Sequence, residues 1–160
     1  PARAAAGYSH SLFIDGEGRL SACGKATGRR GEEVTALLGH GEGVTRLNTP
    51  TRLPSLLGGE RAKSVAAGAT HSLALAGNGA VWSWGGGDSG RLGHGDEHDQ
   101  WQPKKVEALA GQRVDAVSTA YDQSFAITAV GAVWSWGVGA GGQLGHGDEQ
   151  RQSLPKQVEA

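Results

Sequence analysis

The chain has 160 residues, including 28 glycines and 5 prolines, and its 15 basic and 16 acidic side chains give a formal net charge of −1. Its apolar runs of four or five residues are too short for a membrane helix of about 20 residues. The mixed charges provide no overall attraction to nucleic acid or anionic lipid, so we expect neither a membrane nor a nucleic acid as partner.

The first predicted unit covers about residues 4–53 and consists of short apolar runs bounded by glycine, a pattern typical of strands joined by turns. Its motifs are AAAGYSHSLFI at 4–14, LSACG at 20–24, LLGHGEG at 37–43, and Pro50. Gly24 and Leu38 are 14 residues apart, whereas the matching spacing in the later units is 7 residues. The unit therefore carries a seven-residue insertion in a charged loop, KATGRRGEEVTA, which we expect to be exposed.

The second and third predicted units, at about 65–106 and 117–158, match each other almost residue for residue. Their motifs are VAAGATHSLAL, AVWSWGGGDSGRLGHGDE and QPKKVEAL, then VSTAYDQSFAI, AVWSWGVGAGGQLGHGDE and LPKQVEA. Gly85 and Gly137 are 52 residues apart, and so are His94 and His146. A constant period of this size indicates a repeat architecture. Each unit is interpreted as about four short strands, which form one antiparallel blade.

The strand at 81–84 predicts how blades pack. Trp82 and Trp84 lie at i and i+2, so both indoles project from one face while Val81 and Ser83 project from the other. Trp134 and Trp136 repeat the pattern. A single small sheet is marginal in water and must stack on neighbours, and blades arranged radially form a β-propeller. We therefore expect an all-β propeller fold in which the four indoles pack between blades.

The combination of AxGxxHSLAL, VWSWG, GxLGHGD and PKxV resembles the RCC1 repeat, whose members form seven-bladed propellers. Kelch and WD40 repeats lack the LGHGD element. The resemblance implies one partial propeller domain over residues 1–160, with about three four-stranded antiparallel blades. Three blades cannot close such a ring, so the first and last would leave apolar surface uncovered. Remaining blades in a longer chain, or blades from another chain such as a second copy, would cover it.

The histidines and glycines favour structural roles over a metal site or catalysis. His10 and His71 occupy equivalent places in successive units, as do His40, His94 and His146, so each member of a set lies on its own blade and cannot share a metal with the others. We expect each imidazole to bond the backbone of the next turn. The glycine-rich stretches after Gly85 and Gly137 open no helix and are interpreted as turns. No catalytic motif is present, so we expect no enzyme and no cofactor.

The function that we favour is a non-catalytic protein-interaction scaffold, part of a larger propeller protein or assembly, that binds a protein partner through its loops. The candidate binding residues all lie in predicted loops: Arg29, Arg30, Glu32, Glu33, Asp88, Arg91, Asp96, Glu97, His98, Asp99, Trp101, Asp148, Glu149 and Arg151. Trp101 is either an exposed hot spot or a cover for the blade edge.

Two alternatives follow from the resemblance. The founding member of the family catalyses guanine-nucleotide exchange on a small GTPase, and Asp96, Glu97, Asp148 and Glu149 could belong to such a face. A second branch senses ultraviolet light through a Gly-Trp-Arg-His-Thr motif. The three matching segments here begin at Gly7, Gly68 and Ala120 and contain neither its tryptophan nor its arginine, which disfavours a photoreceptor.

Cys23 is the only cysteine, so no internal disulfide can form, and a reducing compartment fits this composition. We expect an intracellular protein, in the cytoplasm rather than the nucleus, with the organelle left open. An extracellular propeller without disulfides is the alternative. Methionine is absent even at position 1, and we expect the chain to be a piece of something longer.

Overall fold

The computed structural model describes residues 3–28, 30–34, 36–54 and 57–159, and these form three four-stranded antiparallel sheets. The prediction of an all-β fold with three four-stranded blades is confirmed. Blade 1 contains β1 (Ala4–Ala6), β2 (His10–Ile14), β3 (Leu20–Lys25) and β4 (Arg46–Arg52). Blade 2 contains β5 (Ala62–Ala67), β6 (His71–Ala76), β7 (Val81–Gly85) and β8 (Gln100–Lys105). Blade 3 contains β9 (Val114–Ala120), β10 (Gln123–Thr128), β11 (Val133–Gly137) and β12 (Gln152–Gln157).

The only helices among the described residues are two single-turn 3₁₀ segments, Asp88–Gly90 and Glu107–Leu109. Neither approaches the length or the apolar character that a membrane-spanning helix requires. Each sheet is a simple meander, in which sequence neighbours pair. The first strands of neighbouring blades contact each other, which places β1, β5 and β9 on the inner side. The outer strands β4, β8 and β12 contain Pro50, Pro103 and Pro155, residues that edge strands tolerate because no ladder hydrogen bond is lost.

The meander topology sorts the connections onto two opposite faces. The turn between first and second strands and the long connection between third and fourth strands lie at the same end of every blade. We call this end the loop face; its described segments are 7–9, 26–28, 30–34 and 36–45 in blade 1, 68–70 and 86–99 in blade 2, and 121–122 and 138–151 in blade 3. The opposite end, the turn face, contains the described segments 15–19, 53–54, 57–61, 77–80, 106–113 and 129–132.

Two apolar clusters join the blades. The cluster between blades 1 and 2 contains Trp84 with Leu12 and Leu20 of blade 1. The cluster between blades 2 and 3 contains Trp136 with Leu73 and Val81 of blade 2. Trp84 and Trp136 are completely buried, and Trp82 and Trp134 pack at the margins of the same two clusters. The indoles and the valine of one strand thus face different neighbours, as the i, i+2 pattern predicts.

Glycine is required at two places where strands and loops approach closely. Gly85 has φ +106°, and a Cβ there would lie 2.6 Å from the carbonyl oxygen of Thr70; Gly137 has φ +101°. Such a contact allows no side chain at the end of β7 or β11. In the LGHG element, a Cβ on Gly93 would lie 2.9 Å from Nε1 of Trp136, so this loop covers the indole of the next blade.

The inserted loop of blade 1 is folded rather than merely exposed. Ala26, Val34, Leu37 and Leu38 are buried together in a small cluster of their own. A backbone bridge between Thr27 and Glu33 closes its base. The expectation of a wholly exposed insertion is therefore wrong for its apolar residues, while the charged side chains of Arg30, Glu32 and Glu33 are exposed.

Candidate protein-binding face

Histidines form polar links across both joints between blades. Nε2 of His10 in blade 1 lies 2.9 Å from Oγ of Ser72 in blade 2, and Nε2 of His71 lies 2.8 Å from Oγ of Ser124 in blade 3. The Ser124 hydroxyl donates its hydrogen to the Arg91 carbonyl at 2.9 Å, so the His71 ring must donate from Nε2. The predicted backbone partners are wrong here, because each ring reaches a serine of the next blade.

The histidines of the LGHG elements, His40, His94 and His146, form hydrogen bonds within their own blades. Nε2 of His94 lies 2.9 Å from Oγ of Ser83, and Nε2 of His146 lies 2.9 Å from Oγ of Ser135. These serines also donate to the carbonyls of Leu92 and Leu144, respectively. The backbone prediction is therefore wrong for His94 and His146 too. It holds for His40, whose Nδ1 lies 2.7 Å from the Leu38 carbonyl.

Burial keeps three of the histidine rings, those of His10, His71 and His94, neutral. It lowers the pKa of His10 from its ordinary 6.5 to about 4. The pKa of His71 falls to about 3, chiefly through burial and further through the nearby charges of Arg91 and His10. The pKa of His94 falls to about 4, again chiefly through burial, with Lys104 lowering and Asp96 raising it. At neutral pH each ring is therefore a neutral hydrogen-bonding group.

The loop face contains a polar cleft of about 540 Å³ where the inserted loop of blade 1 meets blades 2 and 3. It brings together six of the predicted binding residues, Arg30, Glu32, Glu33, Asp88, Arg91 and Asp99, although they come from two blades. The cleft is also lined by Val34, Ala69, Thr70, Gly86 and Asp122. It contains five carboxylates and two guanidinium groups, so its lining is acidic.

Arg91 differs from its predicted role, because only 7% of the residue is exposed. Its guanidinium forms an ion pair of 3.0 Å with Asp122 of blade 3 and a hydrogen bond to the Thr70 hydroxyl, and its Nε donates to the Asp88 carbonyl at 2.7 Å. Arg91 therefore ties the blade 2 loop to blade 3 rather than projecting towards a partner. The equivalent positions hold Leu37 in blade 1 and Gln143 in blade 3.

The Arg91–Asp122 pair is expected to stabilise the second joint. Replacing Arg91 with the glutamine of blade 3 (Arg91→Gln) should lower the free energy of unfolding by roughly 2 kcal/mol, because it leaves a partly buried carboxylate without its cation. Asp122→Thr introduces the residue that blade 2 has at the equivalent position, and the double variant completes a cycle measurable by urea unfolding. We expect the double variant to lose less than the sum of the single losses; strictly additive losses would show that the pair does not couple.

The other predicted residues on this face lie in turns of blades 2 and 3. Oδ1 of Asp99 accepts a bond from the Gly87 amide, and Oδ1 of Asp96 and of Asp148 accept bonds from the amides two residues later. Glu97 forms an ion pair of 2.5 Å with Arg151, which links blades 2 and 3, and His98 and Glu149 are exposed.

Trp101 lies not in a loop but in β8, where it is 37% exposed. Its backbone carbonyl accepts a hydrogen bond from the Gly41 amide of blade 1. Arg29 lies outside the described residues.

Sequence reasoning missed the serines and Asp122. The available signal for the serines was the repeat itself. Ser72 and Ser124 are equivalent, and Ser83 and Ser135, which are also 52 residues apart, each lie between the two tryptophans of their strand.

Sequence reasoning also missed the distribution of charge over the fold. The described residues of the loop-face segments include ten of the 16 acidic residues and three of the 15 basic residues. Charges that are mixed along the chain are thus separated by the fold, and the loop face is acidic.

A model of the Regulator of chromosome condensation (RCC1) repeat matches residues 31–75, 78–127 and 130–160, and a second RCC1 repeat model matches 62–91. The chain belongs to the RCC1 repeat family. The first two matched segments each begin in one blade and end in the next, so the RCC1 sequence unit is out of phase with the blades.

The relatives that the chain matches are much longer than it is. It is 39% identical to the Ultraviolet-B receptor UVR8 of Arabidopsis thaliana, over 97% of this chain and 33% of UVR8. It is 37% identical to the human E3 ubiquitin-protein ligase HERC2, over 96% of this chain and 3% of HERC2. Yeast RCC1 (Prp20), solved bound to Kap60, superimposes with a TM-score of 0.82 at 23% identity, over 98% of this chain and 36% of that one. The last likeness shows the fold, a partial RCC1 propeller.

Proposed function

We propose that this chain is a non-catalytic protein-interaction module, part of a larger RCC1-type propeller, and that it binds a partner protein through its loop face. The observation that carries the proposal is that the connections between the third and fourth strands of all three blades lie together on one acidic end of the blades. The predicted binding residues of two blades line one cleft there, including the exposed side chains of Glu33 and Asp88. Binding residues on loops that a rigid scaffold positions are a common arrangement in proteins.

The partner that this face fits is a protein with a positively charged surface. Carboxylates on the loop face attract basic side chains over several ångströms and increase the association rate, an effect that salt screens. Sheets tied together by buried tryptophans and by histidine–serine bonds present the loops in a fixed arrangement, so little ordering entropy is lost on binding. Variation in the loops, such as the insertion in blade 1, changes the surface without disturbing the joints.

The residues give the ultraviolet alternative no support. Tyr8, Ala69 and Tyr121 occupy the place of the sensing tryptophan, and four of the five tryptophans of this chain pack in the joints. Nucleotide exchange on a GTPase would use the same loop face and stays a prediction. Release of a fluorescent nucleotide from a panel of GTPases tests it.

The test is affinity capture with two triple variants of equal charge change. The first reverses charge on the loop face, with Glu33→Lys, Asp88→Lys and Glu149→Lys. The matched control reverses three exposed carboxylates away from it, with Glu17→Lys, Glu107→Lys and Glu159→Lys. The unaltered protein should return the same stoichiometric protein partner in repeated captures, and its recovery should fall at raised salt.

We expect the loop-face variant to lose the partner by at least about tenfold in affinity, which corresponds to about 1.4 kcal/mol, and the control variant to retain it. Equal retention by both variants, or equal loss by both, would contradict binding through the loop face. Far-UV circular dichroism of each variant verifies that the sheets are intact.

A further inference from the structure

Two exposed tyrosines flank a buried alanine at the inner margin of the loop face. Tyr8, Ala69 and Tyr121 occupy equivalent places in the turns between the first and second strands of blades 1, 2 and 3. Tyr8 is 61% exposed and Tyr121 is 62% exposed, whereas Ala69 is 6% exposed. The middle blade thus has a methyl group where its two neighbours have phenol rings, and a gap is left between the rings.

This gap is an apolar cavity of about 220 Å³, which we call the tyrosine slot. Its walls are the two tyrosines, and its floor consists of alanines and glycines at the ends of the first strands: Ala6, Gly7, Ala67, Gly68, Ala69 and Ala120. No charged side chain of the described residues lines it. Contiguous apolar surface that is open to solvent is typical of a site where another molecule binds.

Backbone contacts between the turns fix the shape of the slot. The Ala69 amide donates a hydrogen bond of 2.8 Å to the Tyr121 carbonyl. On the other side, a Cβ on Gly7 would lie 2.5 Å from the Gly68 carbonyl oxygen, so the turns of blades 1 and 2 also touch. Tyr121 has φ +51°, a left-handed conformation that bulky residues rarely adopt and that is concentrated at functional sites. The turn of blade 2 is therefore held on both sides by neighbours within the chain.

The slot adjoins the acidic cleft of the loop face. Ala69 lines both cavities, and the residues that follow the slot residues in two of the turns, Thr70 and Asp122, line the cleft. The exposed carboxylates of Glu33 and Asp88 also line the cleft. A partner segment with one side chain in the slot would therefore place a neighbouring residue at the cleft, where a positive charge is favoured.

The volume of the slot fits one side chain of a protein rather than a separate small molecule. Small-molecule sites enclose about 300–1,000 Å³, whereas an apolar cavity of about 150 Å³ accommodates benzene. At about 220 Å³ the slot has room for a leucine or phenylalanine side chain. Tyrosine is enriched among the residues that dominate the binding energy of protein interfaces, and such residues surround well-packed pockets.

We propose that the tyrosine slot binds an apolar side chain of leucine or phenylalanine size from a partner protein, and that a lysine or arginine next to it in the partner lies over the acidic cleft. This inference rests on the proposed function and names the sequence feature by which the partner is recognised. Burial of the apolar side chain contributes affinity. The adjacent charge orients the segment and increases its association rate.

Tyr8 and Tyr121 are the only tyrosines of the sequence, so protein labelled selectively at tyrosine reports on the slot alone by nuclear magnetic resonance. The probes are capped tetrapeptides with leucine and arginine adjacent in either order, such as acetyl-Gly-Leu-Arg-Gly-amide. We expect one of them to shift both ring signals at millimolar concentration. Peptides with glycine in place of leucine, or glutamate in place of arginine, should bind at least about tenfold more weakly. No shift with either order, or equal binding of all peptides, would overturn the proposal.

Ala69→Tyr tests the slot by filling it with the residue that blades 1 and 3 already have at the equivalent place. It should weaken peptide binding by at least about tenfold, whereas the matched control Ala69→Ser keeps the slot open and should retain binding. Tyr8→Ala removes one wall and should weaken binding as well. Far-UV circular dichroism verifies that the sheets of each variant are intact. Unchanged peptide binding by Ala69→Tyr and Tyr8→Ala would overturn the proposal.

Two further outcomes identify which part of the account is wrong. Tyrosine signals that shift with protein concentration in the absence of peptide would show that a second copy of the chain occupies the slot, which would overturn the proposed occupant. A captured partner that the loop-face charge variant loses but Ala69→Tyr retains would overturn only this inference. Peptide binding in the slot without any partner that depends on the loop-face carboxylates would overturn only the proposed function.

Discussion

Lowering the pH from about 7.5 to about 5 is expected to reduce the free energy of unfolding by roughly 5 kcal/mol: about 2 kcal/mol for each of the buried rings of His10 and His71, and less for the partly exposed ring of His94, whose effect solvent screens. The folded-state pKa values of His10, His71 and His94 are about 4, about 3 and about 4, against 6.5 in an unfolded chain. Between these values the unfolded state binds more protons than the folded state. The contribution of the three histidines to the free energy of unfolding is therefore complete above pH 6.5, and it is lost as the pH falls towards their folded-state pKa values.

Urea unfolding at a series of pH values measures this loss, and the chain provides its own control. Blade 3 has Gln123 where blade 2 has His71, so His71→Gln replaces the titrating ring with a residue that the fold already uses there. The variant should lose about two fifths of the pH dependence. A pH profile that is flat from 7.5 to 5 in the unaltered protein, or one that His71→Gln leaves unchanged, would show that the rings are not held neutral in the joints.

Trp136→Ala should cost about 3–5 kcal/mol, because it removes a fully buried indole from the joint between blades 2 and 3. Trp84→Ala should cost a similar amount at the first joint. Typical domains have about 5–15 kcal/mol of total stability, so either variant removes a large fraction of it. Thermal or urea unfolding followed by circular dichroism measures the loss.

Trp101→Ala is the matched control for both substitutions. Trp101 is 37% exposed and lies in the outer strand β8, outside the two joint clusters, so its removal should cost less than about 1 kcal/mol. Losses of equal size at Trp101 and Trp136 would mean that the joints are not where the stability resides.

Two patterns in the sequence, the repeat period and the spacing of the tryptophans, were sufficient to predict the blades and the face of the sheet from which the indoles project. A period of 52 residues and the i, i+2 spacing of Trp82 and Trp84 are properties of the sequence itself, and each fixes a geometric relation without reference to the rest of the fold. The same holds for Gly85, whose position at the end of a strand predicted that a turn follows it.

What sequence reasoning missed depends on contacts between blades. The partner of His71 is Ser124, 53 residues away in the next blade, and no local rule selects that serine over a nearby carbonyl. Arg91 looked like a loop charge because its burial depends on Asp122 of blade 3. The acidic loop face emerges only when the topology gathers separate segments at one end of the blades.

The most direct test of stacked blades is a set of nuclear Overhauser contacts between methyl groups and indole rings in the selectively labelled protein. If the blades are stacked, the Trp136 ring will show contacts to methyl groups of Leu73, Leu75 or Val81 in blade 2. The Trp84 ring will show contacts to those of Leu12, Ile14 or Leu20 in blade 1. Indole contacts confined to each ring's own blade would contradict this stacking, because the sheets would then not be packed face to face.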